Sequence, residues 1–386
     1  MFSRDIEQEL IQLAKDYPVV SLTGPRQSGK TTLVKHVFKK KPYFNLESPD
    51  IRSKILADPK GFLDKLPNGA VLDEIQHIPE LLSYIQVIVD EADQKGMFIL
   101  TGSQLLEIHE AVSQSLAGRV ALLRVLPLSL KELSDEGIDL SLDEAILKGG
   151  YPRIFKDRLN PTKTYRSYFE TYIQRDVRQM INLKNLSQFE RFIRLCAGRV
   201  GQVLNIVTLA NDVGVSSNTI KHWLSILEAS FILIRLEPYF ENFGKRMIKA
   251  PKLYFTDVGL ATFLLGIENL TQLERDPLRG HLVENLVLLE LMKARLNQGM
   301  DPKLFYFRDS HKNEVDIIYQ CGRDLVPIEV KASQTFHSTF LKNLYFFKEL
   351  APTRSKGGYI IYAGDDEQKL QQFNLINFKN AYTITS

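Results

Sequence analysis

Apolar residues fall in two rhythms along the chain. In the first third, short continuous apolar runs recur at 18–22 (PVVSL), 70–73 (AVLD), 97–100 (MFIL) and 120–125 (VALLRV). Such runs, rich in Val, Ile and Leu and bounded by polar turns, predict strands covered on both faces. Segment 31–38 between the first two reads as a helix, and MFSRDIEQEL at the start opens an amphipathic one. Strand and helix alternating over residues 1–128 predict an α/β fold with a parallel sheet.

After Pro127 the period becomes helical. Segments 129–136 and 141–148 read as short helices, and 162–181 as a long one whose charged face carries Arg175 and Asp176. A structural ion pair is the plain reading of those two. Residues 185–262 read as a winged helix-turn-helix. A helix ends at a turn containing Gly214, and Ser216 caps a second helix over 217–227. Ile220 and Trp223 point into the core, which turns Asn218, Thr219, Lys221 and His222 outward on a recognition helix. Strands 231–236 and 253–256 then flank a loop with Lys245, Arg246, Lys249 and Lys252, a basic wing suited to phosphates. Protein contact is the alternative use of such an element. Residues 263–386 return to α/β: helix 278–294, strands 303–307, 314–318 and 325–331, helix 340–350 and strand 359–362.

The first chemistry lies between the first strand and its helix. Residues Gly24, Pro25, Arg26, Gln27, Ser28, Gly29, Lys30 and Thr31 spell a glycine loop, followed by Thr32. A strand, a glycine loop and a helix N-terminus present backbone N–H groups and partial positive charge to phosphates. Lys30 is expected on the β- and γ-phosphates of ATP and Thr31 on Mg²⁺. The 70–73 strand ends in Asp73 and Glu74. Asp73 suits the surroundings of the Mg²⁺ ion, and Glu74 suits activation of the attacking water. Ser103, at the end of the next strand, is placed to sense the γ-phosphate. Arg119 is read as an arginine finger in cis or from a neighbouring subunit, with a structural surface arginine as the alternative.

The loop GPRQSGKTTL, the LDEIQ segment and the TGSQ strand end resemble an AAA-type P-loop ATPase family of bacteria and archaea. Its members join the ATPase to a C-terminal domain long labelled as of unknown function. The resemblance implies a core at 1–128, a helical lid at 129–184, a winged helix at 185–262 and a further domain at 263–386. Gln104 departs from the family pattern, where a small residue is usual. Asp257 and Gly259 in FTDVGL match a family motif, and Asp257 reads as a helix cap.

The last domain resembles the restriction-endonuclease-like core, on the segments EVD and IEVK. That resemblance implies Mg²⁺ held by Asp316 and Glu329, with Glu284 assisting and Lys331 orienting a water. A carboxylate and a lysine within β-branched strands are costly to bury without partners. An inactive relic of that fold, or a salt-bridged core pair, is the alternative.

Composition narrows the class. The chain has 386 residues, 44% hydrophobic and 25% charged, with net charge +3. No stretch nears the roughly 20 apolar residues of a membrane span, and the start lacks the apolar core of a signal peptide. Cys196 and Cys321 have no ligand-like neighbours in sequence and suit reduced thiols in the cytoplasm. The expected function is an ATP-hydrolysing switch or motor with a DNA-binding C-terminal half. An ATP-regulated Mg²⁺-dependent DNA nuclease and a protein-binding regulatory ATPase are the alternatives. DNA is the expected partner. A homo-oligomer and a protein partner are both compatible with the sequence.

Overall fold

The computed structural model describes residues 1–92, 94–103, 116–177, 186–240 and 248–385, without the side chains of 174–176. Gln104, Lys245, Arg246 and the side chains of Arg175 and Asp176 lie outside the described residues. Contacts divide the chain into two units. One comprises Met1–Leu128 with Ala229–Phe231 and Leu296–Met300, and the other Ser129–Glu228, Ile232–Arg295 and Asp301–Ser386.

The first unit is built on a five-stranded sheet of β1 (Val19–Thr23), β2 (Tyr43–Asn45), β3 (Ala70–Asp73), β4 (Phe98–Gly102) and β5 (Val120–Arg124). The order is β2-β3-β4-β1-β5, and every pair is parallel. β1, β3 and β4 are buried at every position. One face packs Leu72, Leu100 and Phe98 against Leu81, Ile85 and Val89. The other packs Leu22, Val71 and Ile99 against Leu10, Leu33 and Val34. Two covered faces explain why the strands read as unbroken apolar runs rather than alternating ones. Parallel pairing also sends all carboxyl ends to one edge, which gathers the ends of β1, β3 and β4.

The second unit begins with two helices, Leu130–Asp135 and Leu142–Lys148, each opened by a capping box (Ser129 with Glu132, Ser141 with Glu144). Of the long helix expected at 162–181, the described residues are α-helical over Pro161–Tyr168 and π-helical over Phe169–Val177. Helices Ile206–Val213 and Ser217–Ala229 meet at left-handed Gly214, and Ser216 Oγ accepts the Thr219 N–H at 3.1 Å. Ile220 and Trp223 are buried, with Trp223 packed edge-on to Phe189. β6 (Leu233–Leu236) and β7 (Lys252–Phe255) form an antiparallel pair.

A six-stranded mixed sheet follows: β8 (Leu304–Arg308), β9 (Glu314–Cys321), β10 (Asp324–Lys331), β11 (Tyr359–Tyr362), β12 (Gln368–Leu370) and β13 (Phe373–Asn377). Its order is β12-β13-β11-β10-β9-β8. β10 runs antiparallel to β9 and parallel to β11. Pro327 lies on β10 one residue before pairing with β11 begins, so its missing N–H breaks no bond on that side.

Asp257 gains a larger role than helix cap. It caps Val258–Leu265 through the Leu260 N–H, and it also accepts the Gly150 N–H at 2.8 Å and the Tyr165 hydroxyl at 2.6 Å. Gly259 lies flat on the Tyr165 ring, where a Cβ would come within 2.5 Å of the hydroxyl oxygen. The FTDVGL segment is therefore a packing joint.

Candidate functional site

The carboxyl edge of the first sheet carries the site. β1 ends at Thr23, and the loop leaves at Gly24, where a Cβ would stand 2.1 Å from the Val125 carbonyl oxygen. Only glycine allows that approach. The helix Lys30–Val37 starts behind left-handed Gly29, with no side-chain cap and no acidic residue in its first turn. Its opening N–H groups and dipole are thus free of a competing side-chain anion, as phosphate binding requires.

Lys30 is buried and donates to the carbonyls of Gly24 and Pro25, both at 2.9 Å, and to Ser103 Oγ at 3.2 Å. Burial lowers its pKa to about 8, against the pull of Glu74 and Asp73. Ser103 Oγ passes the contact on, donating to Glu74 Oε1 at 2.8 Å. Glu74 also accepts from Gln76 Nε2, and its own N–H bonds Thr101 Oγ1 at 3.1 Å. Its backbone is left-handed, with φ of 58°. A side chain there costs about 1–2 kcal/mol, a strain typical of residues fixed for function. Burial alone would raise the Glu74 carboxyl. Lys30 and the two hydrogen bonds outweigh it, and the group sits below the ordinary range. An ionised carboxylate beside the phosphate loop is what a general base must be.

Asp73 takes three hydroxyls. Thr31 Oγ1 lies at 3.0 and 3.1 Å from its oxygens, and Thr101 and Tyr43 also donate to it. Burial and Asp73 raise the Tyr43 phenol, so it stays a donor. Ser28 Oγ is buried within the loop with no hydrogen-bond partner. Buried hydroxyls seldom stay unsatisfied, and an orphan in a phosphate loop fits a bound polyphosphate. The residues present thus fit ATP with Mg²⁺: Lys30, Ser28 and the loop N–H groups for phosphates, Thr31 and Asp73 for the ion. Around them, Gln27 is left-handed, Arg26 lies 3.5 Å from Glu47, and Thr32 is exposed.

Arg4 and Tyr43 carried no signal in the sequence pattern, and Thr101 and Gln76 were legible only as members of the TGSQ and LDEIQ segments. Arg4 is buried, and its guanidinium donates to the Ser28 carbonyl at 2.8 Å and the Leu126 carbonyl at 2.7 Å. It braces the phosphate loop from 24 residues upstream.

Arg119 requires a correction. It precedes β5, whose Val120 pairs with Val19 at the start of β1, whereas the loop leaves from the end of β1. A five-residue strand separates those edges by about 16 Å. Arg119 instead forms an exposed pair with Asp90, Nη2 to Oδ2 at 2.9 Å. A finger acting in cis is excluded by that placement.

In the second unit, Asp316, Glu329 and Lys331 do come together. Lys331 Nζ lies 2.6 Å from Glu329 and 3.7 Å from Asp316. Asp316 accepts the Val330 N–H, and Asn343 donates to Glu329 at 3.2 Å. Glu284 faces Lys252 at 2.8 Å. Lys252, expected on an exposed wing, is buried in β7. Among the described residues, no group of three or more His, Cys, Asp or Glu side chains could hold a metal ion. Lys252 and Lys331 stand among the carboxylates Glu284, Asp316 and Glu329 that were expected to bind Mg²⁺. On the helix Ser217–Ala229, Asn218, Lys221 and His222 are exposed and Thr219 is half-buried; Lys249 is also exposed. Cys196 is buried and Cys321 exposed, both free thiols.

A parallel sheet with a phosphate loop after β1, an acidic pair after β3 and a polar strand end between them defines an AAA-type P-loop ATPase. The family described as "AAA domain" matches residues 16–134. The chain belongs to the family of the uncharacterized protein Rv2008c of Mycobacterium tuberculosis, to which it is 33% identical over 336 residues, 86% of this chain and 74% of that protein. The uncharacterized protein Mb2031c of Mycobacterium bovis matches to the same extent. Two families described as domains of unknown function, DUF8612 and DUF4143, match residues 139–271 and 279–381. The Walker-type ATPase PABY2304 of Pyrococcus abyssi shares 14% identity at a TM-score of 0.47, over 68% of this chain and 96% of that one. No described helix is long and apolar enough to cross a membrane.

Proposed function

We propose that the protein is an ATP-hydrolysing switch or motor whose C-terminal half binds DNA. The observation that carries the ATPase is the chain of contacts from Lys30 through Ser103 to Glu74, beside Thr31 and Asp73. Lys30 gives up loop carbonyls to meet the β- and γ-phosphates of ATP. Ser103 reports that exchange to Glu74, which orients and deprotonates the attacking water. Mg²⁺, held at Thr31 and Asp73, would neutralise charge developing on the phosphates. Lys30→Ala should abolish ATP binding. Glu74→Gln should keep binding and lower turnover on the order of 10²–10⁴-fold. Wild-type turnover in Glu74→Gln would refute the assignment.

DNA binding rests on the exposed Asn218, Lys221 and His222 of a helix that follows a tight turn, and on the exposed Lys249 further along the chain. Replacing Lys221 and Lys249 by Glu, with Lys245 and Arg246 as the sequence suggests, should weaken binding to all sequences and flatten its salt dependence. Equal salt profiles in mutant and wild type would favour a protein partner. The cytoplasm is the expected compartment. Any action of Arg119 on ATP requires a neighbouring copy of the chain.

A further inference from the structure

The segment KLYF is buried at all four positions, including Lys252, which is 1% exposed. An ammonium held there must be paired or it would be neutral. Its partners come from two directions. Glu284, on the helix Arg279–Leu296, lies 2.8 Å away, and Glu314, at the start of β9, also pairs with it. Glu284 accepts the Tyr254 hydroxyl as well, and His281 stands 3.7 Å off. One residue along the helix, Asn285 clasps the Phe255 backbone, accepting its N–H at 2.9 Å and donating to its carbonyl at 2.8 Å. That clasp fixes β7 on the helix and holds Lys252 against Glu284.

We infer that Lys252 is a tethered counter-ion that occupies Glu284, one of the carboxylates expected to hold a divalent metal, so that this centre excludes Mg²⁺ and does not cleave DNA. The charge balance supports this. Glu284, Glu314, Asp316 and Glu329 face Lys252, Lys331 and Arg308, the last 3.2 Å from Glu314. Adding a dication would place five positive charges against four negative ones in a cluster whose Lys252, Glu284 and Glu329 are buried. Mg²⁺ also demands oxygens at about 2.1 Å in near-octahedral array, whereas an ammonium tolerates the 2.8 Å contact seen here.

The test uses the full chain without nucleotide. Lys252→Met keeps the length of the side chain and removes its charge. Mn²⁺ should move the wild-type melting temperature only by what the ATP loop contributes, while Lys252→Met should melt lower and recover by roughly 5 °C beyond that once Mn²⁺ reaches about 100 times its Kd. Adding Glu284→Gln to that variant should remove the response. The ATP loop contributes equally to wild type and variant, so the difference isolates the C-terminal centre. An equal Mn²⁺ response in both, or none in Lys252→Met, overturns the inference. Should Lys252→Met fail to fold, Mn²⁺ bound by the wild type and by Asp316→Asn can be counted by electron paramagnetic resonance. Equal counts support the inference. An ion lost in Asp316→Asn, or Mg²⁺-dependent nicking of plasmid lost in the same variant, overturns it.

Discussion

ATP affinity should fall as pH rises through about 8, because Lys30 must be protonated to meet phosphate. Burial lowers its pKa to about 8, and its three donors meet the uncharged Gly24 and Pro25 carbonyls and Ser103 Oγ. A group of that pKa is about 0.9 protonated at pH 7 and about 0.1 at pH 9, so Kd for ATP should rise about tenfold over that interval and be nearly flat below it. Binding should also draw a proton: near zero per ATP at pH 7, approaching one at pH 9. Titration calorimetry in two buffers of different ionisation enthalpy measures both. The sign for stability runs with the binding argument. The folded pKa lies below the ordinary 10.5, so the cost of burying the charge is present below pH 8 and is relieved as pH rises from 8 to 10.5. Nucleotide-free protein should accordingly gain stability from this group over that window while losing ATP affinity. A flat Kd from pH 7 to 9 with no proton uptake would show that Lys30 is not the phosphate cation, or that it is not buried as described.

Three other outcomes follow from the same geometry. Arg4→Met removes two charge-assisted bonds to buried carbonyls, about 3 kcal/mol; the first unit should melt roughly 10 °C lower, and ATP should bind more weakly. An unchanged melting curve would mean water replaces the guanidinium at no cost. Arg119→Ala should leave turnover in dilute protein within about twofold, since a finger in place is worth on the order of 10³ or more; a loss of that size would assign Arg119 to the site of a neighbouring copy. Asp257→Ala removes the acceptor for Gly150, Leu260 and Tyr165, and should cost the second unit about 3 kcal/mol by denaturant titration. Stability within error of wild type would reduce FTDVGL to a simple cap.

What could be read in the sequence was local. The loop residues 24–31 act as neighbours, and the strand before them and the helix after them are visible as changes of period. Glu74 and Ser103 were legible for the same reason: each follows a buried strand, and parallel strands deliver their carboxyl ends to one edge. The same rule sets Arg119 apart from the loop of its own chain, because a residue before a parallel strand lies at the opposite edge. Arg4 was not legible, since its partners Ser28 and Leu126 lie 24 and 122 residues away. Lys252 was misread from its neighbourhood. A lysine near other basic residues looks exposed, but it opens a four-residue run with no exposed position. Alternation puts Lys252 and Tyr254 on one side of that strand, and both meet Glu284.

The two charged centres differ in what it takes to open them. In the phosphate loop, Lys30 is held by two carbonyls and a hydroxyl, and Asp73 by three hydroxyls. These are neutral partners. A phosphate or a cation replaces each with a charge-assisted contact roughly twice as strong, so ligand entry is downhill once the ligand is desolvated. Ser28 Oγ, with no partner, has nothing to lose. In the second unit Lys252 already holds two carboxylates, and Lys331 holds Glu329 with Asp316 nearby. An entering dication would have to displace charged contacts with charged contacts and leave a buried ammonium unpaired, which is strongly unfavourable. The same residue types, lysine and carboxylate, thus give an exchangeable site where their partners are neutral and an electrostatic staple where they have one another.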